Sequence, residues 1–199
     1  MVSMALGVAG RDRWNWTEGA GSIRIFMKAS TYWKVVTVDR EEFLERFLDL
    51  LSTSGVRYCL IGGLAVNAYA EPVVSLDLDV IVDSTQIDGV ATTLAQRYVV
   101  RRFAHTINVS APDSDVRVQL QTDPRYLAFL PHASAREVLG IMLPVARLED
   151  VLQGKIWAAL DPTRRRSKRQ KDLADIARLL EAHPDLLERV PEEILTRLV

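Results

Sequence analysis

The chain has 199 residues, 48% of them hydrophobic and 26% charged, which suits a soluble globular protein and excludes wholesale disorder. Its 25 basic and 26 acidic residues leave a net charge of −1, so no global field recruits nucleic acid or an anionic membrane, and any polyanion site must be a local patch. The single cysteine, Cys59, can form neither an intrachain disulfide nor a Cys-cluster zinc site, and no apolar run is long enough to span a membrane.

Residues 1–34 carry neither a helical nor a strand period and are expected to be a poorly ordered extension, with Met27 as the natural start. The first ten residues lack the basic stretch of a secretory signal, so a cytoplasmic location is expected. The patterned remainder divides into an α/β core over 35–146 and a helical C-terminal part over 147–199 that packs on it. Asp39 and Glu42 form a capping box, after which Phe43, Leu44, Phe47, Leu48 and Leu51 recur at helical spacing up to Gly55. A short buried strand over 56–61 stops at Gly62-Gly63 and gives way to a short helix that ends near Pro72.

Residues 75–82 alternate strictly and predict a second strand, with Leu76, Leu78 and Val80 on one face and Ser75, Asp77, Asp79 and Ile81 on the other. A helix over 85–97 follows, then strands over 98–103 and 116–122, with a turn at 112–114 between them. Beyond Tyr126 the pattern predicts a helix around 133–139, a strand over 141–145 and a helix over 148–160. The run from Arg164 to Lys171 leads into an amphipathic helix closed before Pro184, and a last short helix lies within 186–199. The fold class is therefore mixed α/β (α+β), with flanking helices and a helical C-terminal part.

The chemistry concentrates at Asp77 and Asp79. Two residues apart on a strand, their side chains leave one face about 7 Å apart and repel unless a cation lies between them. With no His or Cys nearby, these hard oxygens suit Mg²⁺ or Mn²⁺. Read alone, the pair is equally the wet face of a half-exposed strand. Gly62-Gly63 sits where a strand becomes a helix, so the backbone can approach a phosphate there; the plainer reading is a tight turn. Phosphate cradle and carboxylates on successive elements give the layout of metal-assisted nucleotidyl transfer.

Ile61-Gly62-Gly63-Leu64-Ala65-Val66 followed by Ser75-Leu76-Asp77-Leu78-Asp79-Val80 resembles the signature of the polymerase-β-type nucleotidyltransferase superfamily. Lys155 with Trp157-Ala158-Ala159-Leu160, and then Lys171-Asp172-Leu173-Ala174-Asp175-Ile176, is similar to its AbiEii-like bacterial branch, which includes toxin-type enzymes. The resemblance covers about 40–182 and implies a nucleotidyltransferase-like sheet with flanking helices. It also implies that Asp77 and Asp79 hold Mg²⁺, that Gly62, Gly63 and Ser75 contact the nucleoside triphosphate, and that Lys155 and Asp172 line the same cleft, Lys155 against the triphosphate. The toxin-type members bring the expectation of an antitoxin partner.

One departure counts against activity. The family's third acid, on a later strand, corresponds here to Gln119, which lends a carbonyl oxygen but neither neutralises a second metal nor accepts a proton. Asp115 and Asp123 share its parity yet lie about 13 Å away along an ideal strand. Either Asp172 supplies the missing carboxylate or activity is reduced or lost. The leading expectation is transfer of a nucleoside monophosphate to a hydroxyl of tRNA, a protein or a small molecule. The alternative is a catalytically silent module that binds a nucleotide, RNA or a protein partner. Arg164, Arg165, Arg166, Lys168, Arg169 and Lys171 place six positive charges in eight residues, which reads as an RNA phosphate contact or as a solvated helix start. From its own residues Lys155 reads as a surface lysine, and His105, His132, His183 and Cys59 are given no catalytic part.

Overall fold

The computed structural model describes residues 38–75, 77–111, 116–138 and 140–198, the first five of these as backbone only. The expectations for the extension over 1–34 and for the Asp39–Glu42 capping pair lie outside the described residues and side chains. Helix α1 (Val38–Thr53) leads into strand β1 (Tyr58–Ile61), which passes directly into the short helix α2 (Gly62–Val66). Then follow β2 (Asp77–Val82), α3 (Ile87–Ala95), β3 (Val99–Arg102), β4 (Thr106–Ser110) and β5 (Arg117–Gln121). A 3-10 segment (Pro124–His132), β6 (Ser134–Val138) and β7 (Ile141–Val145) precede α4 (Leu148–Leu160) and α5 (Arg166–Ala182). The chain ends in a second 3-10 turn (Pro184–Arg189) and the short helix α6 (Glu192–Leu195).

The strands form one seven-stranded sheet in the order β3-β4-β5-β2-β1-β7-β6, so the strand that carries the two aspartates is its centre. β2 runs antiparallel to β1 and parallel to β5, and β1 runs parallel to β7. Val80, Val118, Leu120, Val109 and Leu60 alternate onto one face and are fully buried, while Asp77, Asp79, Gln119 and Asn108 alternate onto the other. α3 lies against the first face, where Asp88 takes an ion pair from Arg102 at 2.8 Å. Leu152, Ile156, Leu173 and Ile176 of α4 and α5 join the same buried cluster as the sheet.

Two local expectations are corrected. Residues 134–138 form a strand and not the helix expected around 133–139: they pair antiparallel with β7 from Ser134 opposite Val145 to Val138 opposite Ile141. Ser134 to Glu137 are all exposed on this edge strand, so no period-2 pattern marks it, and ladder pairing overrides the helix propensity of Ala, Arg and Glu. β4 was not anticipated, although Thr106-Ile107-Asn108-Val109-Ser110 alternates in burial. No helix among the described residues is long and apolar enough to cross a membrane.

Candidate active site

At the end of β1 the backbone turns through Gly62 at φ +70°, a conformation that costs a non-glycine residue energy. A Cβ at Gly62 would stand 2.0 Å from Asp79 Oδ2, so the carboxylate lies directly over the glycine. At Gly63 a Cβ would meet Ser75 Oγ at 3.3 Å and Lys171 Nζ at 3.7 Å. The glycine turn, Asp79, Ser75 and Lys171 therefore occupy one small volume. Gly62→Ala is expected to lower the melting temperature more than Gly55→Ala, which, at φ +62° with nothing within 4 Å, keeps the backbone strain without the clash. Parallel thermal melts of the two variants separate strain from displacement of Asp79.

The register places Asp79 opposite Gln119, and Asp77 opposite Arg117. Gln119 thus stands beside the aspartate pair where the third acid was sought, and among the described residues no group of three His, Cys, Asp or Glu could hold a metal ion. Asp115 lies outside the described residues. Asp123 instead caps the 3-10 segment and pairs with Arg125 at 2.7 Å. Burial raises the Asp79 carboxyl above its ordinary value, with Lys155 opposing and Asp77 reinforcing the shift. Asp77 receives Lys168 Nζ at 3.0 Å.

Lys155 is no surface lysine: it is 6% exposed, with Nζ 3.0 Å from Asp172 Oδ1 and 2.6 Å from Asp175 Oδ2. Burial alone would lower the ammonium's pKa, but Asp175 and Asp172 outweigh it and hold the group above its ordinary value. Asp172, 2% exposed, takes Arg164 Nε on its other oxygen at 2.7 Å. Both of its oxygens are thus engaged by cations.

The basic run is not one solvated patch. Arg164 and Lys168 bond acids of the site, Lys171 reaches the glycine turn, and Arg169 is half-buried, while Arg165 and Arg166 remain exposed. Sequence reasoning gave no part to Asp175, Arg178, Asn67 or Asp150. For Asp175 and Arg178 the available signal was the spacing 168-171-172-175-178, which lays those side chains along one face of α5; Asn67 and Asp150 lie on other elements and carried no such signal.

Next to the carboxylates a cavity is lined by Asp79, Gln119, Lys155 and Asp172 together with Gln121, Thr106, Tyr126 and Asp150. Burial pushes the Tyr126 phenol up to about 12, so this wall presents a neutral hydroxyl. Asp150 is engaged by His132 Nδ1 and by Arg147 Nε, each at 3.1 Å. Cys59 lies buried in β1 with its thiol raised to about 12 by burial and then by Asp150, an unreactive state.

A central strand with two aspartates, a glycine turn beneath one of them and a lysine helix alongside define the nucleotidyltransferase fold. The family model described as nucleotidyl transferase AbiEii toxin, type IV toxin–antitoxin system, matches residues 43–198, and the chain belongs to that family. Its members are transferases of the polymerase-β type. The chain is also similar in fold to ANT(2″)-Ia, solved in complex with adenylyl-2″-tobramycin, with a TM-score of 0.58 and 11% identity over 82% of this chain and 100% of that one. The lincosamide antibiotic adenylyltransferase LnuA, solved with lincomycin bound, gives a TM-score of 0.50 and 13% identity over 72% of this chain and 98% of that one. No curated protein matches.

Proposed function

We propose that the chain is a divalent-metal-dependent nucleotidyltransferase that moves a nucleoside monophosphate from a nucleoside triphosphate to an acceptor hydroxyl, as the toxin of a toxin–antitoxin pair. The observation that carries this reading is the convergence of the aspartate pair, the Gly62-Gly63 turn and the α5 lysines on one cleft. Asp77 and Asp79 fit Mg²⁺ or Mn²⁺: they are hard oxygen donors on one strand face, with the Gln119 carbonyl adjacent by register, and the raised carboxyl of Asp79 marks a desolvated anion short of countercharge. When bound, the ion neutralises these carboxylates and polarises phosphate oxygens.

The chain's own residues do the rest. Gly62, Gly63 and Ser75 seat the triphosphate, and Lys171, whose ammonium lies over that turn, takes its outer oxygens. Lys155 adds positive charge from beneath the cleft, and Asp172 holds Lys155 and Arg164 in place and does not stand in for the third acid. The acceptor oxygen bonds to the α-phosphorus as the bond to pyrophosphate breaks. Gln119 and Asn108 are neutral amides that accept no proton, so the hydroxyl proton is given up to solvent water as the new bond forms. The acceptor enters over this uncharged floor. An RNA acceptor would add phosphate contacts at Arg165 and Arg166, and a protein or small-molecule hydroxyl would not need them.

Gln119→Glu tests the site directly, because it restores a carboxylate at nearly constant volume. The metal concentration for half-maximal nucleotide binding is expected to fall several-fold; an unchanged value would remove Gln119 from the metal's surroundings. Gln119 also favours a second reading, a silent module. In that case wild type binds nucleotide with metal and transfers nothing.

A further inference from the structure

Asn67, the C-cap of α2, is 9% exposed and grips the loop that follows it from both sides: Nδ2 donates to the Val73 carbonyl at 2.8 Å, and the Val73 amide donates to Oδ1 at 3.0 Å. This closed ring fixes the path between the glycine turn and β2 as a backbone bridge would. Asn67 is itself held from α5. Arg178 donates to Asn67 Oδ1 at 2.8 Å, to the Glu71 carbonyl, and to Asp175 Oδ1 at 2.7 Å. Asp175 in turn receives the buried Lys155 ammonium. A continuous polar chain thus runs from Lys155 through Asp175, Arg178 and Asn67 to Val73, two residues before the Ser75 that stands against Gly63.

We propose that Arg178, acting through Asn67, is a positioning residue that sets Ser75 against the Gly62-Gly63 turn and so shapes the triphosphate seat. This rests on the functional reading above. The planar guanidinium bridges three acceptors belonging to three parts of the chain, a geometry that one lysine ammonium does not reproduce. Arg178 touches none of the residues assigned to the metal or the phosphates; it reaches the turn through loop 67–75, and it reaches Lys155 by way of Asp175, a second route that the Asn67 variant leaves in place.

The test is titration of wild type, Arg178→Lys, Arg178→Ala and Asn67→Asp with each of the four ribonucleoside triphosphates and Mn²⁺, with melting temperature recorded for each variant and kcat and KM wherever transfer is detected. Arg178→Lys retains charge and guards against a variant that fails to fold; Asn67→Asp keeps the two acceptor contacts, replaces the Nδ2 donor with an oxygen facing the Val73 carbonyl, and adds a negative charge beside Arg178. The expected result is nucleotide affinity weakened at least tenfold in both Arg178 variants and less in Asn67→Asp, with KM rising more than kcat falls. Folded Arg178→Lys with wild-type affinity would overturn the assignment while leaving the functional reading intact. A wild type that binds no triphosphate would overturn the functional reading and this assignment with it.

Discussion

Asp79→Asn is expected to do two opposite things: abolish nucleotidyl transfer and stabilise the protein in chelator. On the proposed function, Asp79→Asn removes a carboxylate that would hold the metal, and with it phosphate polarisation and charge neutralisation together worth several kcal/mol, or about 10³-fold or more in rate. Asp77→Ala is expected to lose transfer to the same degree. The stability effect follows from the raised Asp79 carboxyl. Between its ordinary value of 3.8 and its raised folded value, the folded protein holds more protons than the unfolded chain, so stability falls as pH rises through that window. Above the window the desolvation penalty of the half-buried carboxylate remains. Asparagine carries no such penalty, so in chelator the variant's melting temperature is expected to decline less than wild type's from pH 4 upward and to exceed it at neutral pH. Added Mn²⁺ raises the melting point of wild type alone. Parallel declines in the two proteins would contradict the burial argument.

Lys155→Ala is the second large effect, and it is one of folding before it is one of catalysis. Removing the ammonium strands Asp172 and Asp175, 2% and 4% exposed, beside one another in the interior. Breaking a buried ion pair from one side costs about 3–5 kcal/mol. For a chain of this size that lowers the melting temperature by roughly 6–20 °C. Arg164 and Arg178, which remain on the two acids, keep the loss toward the lower end. The triple variant Lys155→Met, Asp172→Asn, Asp175→Asn removes all three charges together, so most of the stability is expected to return while transfer does not. Thermal melts of the single and triple variants, read beside transfer assays, decide this; a single variant as stable as wild type would contradict the buried network.

The legible and illegible parts of this site differ for a physical reason. Asp77, Asp79 and their strand could be read because side chains alternate with a period of two and the buried partners Leu78 and Val80 fix which face is wet. The glycine turn could be read because φ +70° and a carboxylate at contact distance admit no side chain at Gly62. Gln119 was placed by the family resemblance and not by its own chemistry, and the pairing of β2 and β5 sets it directly beside Asp79.

Charged residues on helices are harder. The 3.6 period says that Lys168, Lys171, Asp175 and Arg178 share a face, yet that face could equally meet water, and only the approach of β2, α2 and α4 turns it inward. Lys155 was misjudged from its own neighbours on the same ground, since its two carboxylate partners lie 17 and 20 residues away on another helix. The edge strand β6 was missed because an exposed edge carries no burial pattern to read.

The central claim is metal-dependent transfer by the Asp77 and Asp79 cleft, and it is tested most directly with α-³²P-labelled triphosphates, each of the four in turn. Wild type and Asp77→Ala are incubated with Mg²⁺ or Mn²⁺ and total cellular RNA, protein or small molecules as acceptors. The account predicts label covalently attached to one acceptor class by wild type, lost with chelator and lost in folded Asp77→Ala. Metal-dependent nucleotide binding with no label transferred to any acceptor class would contradict it and leave the silent module, with Gln119 as the physical cause.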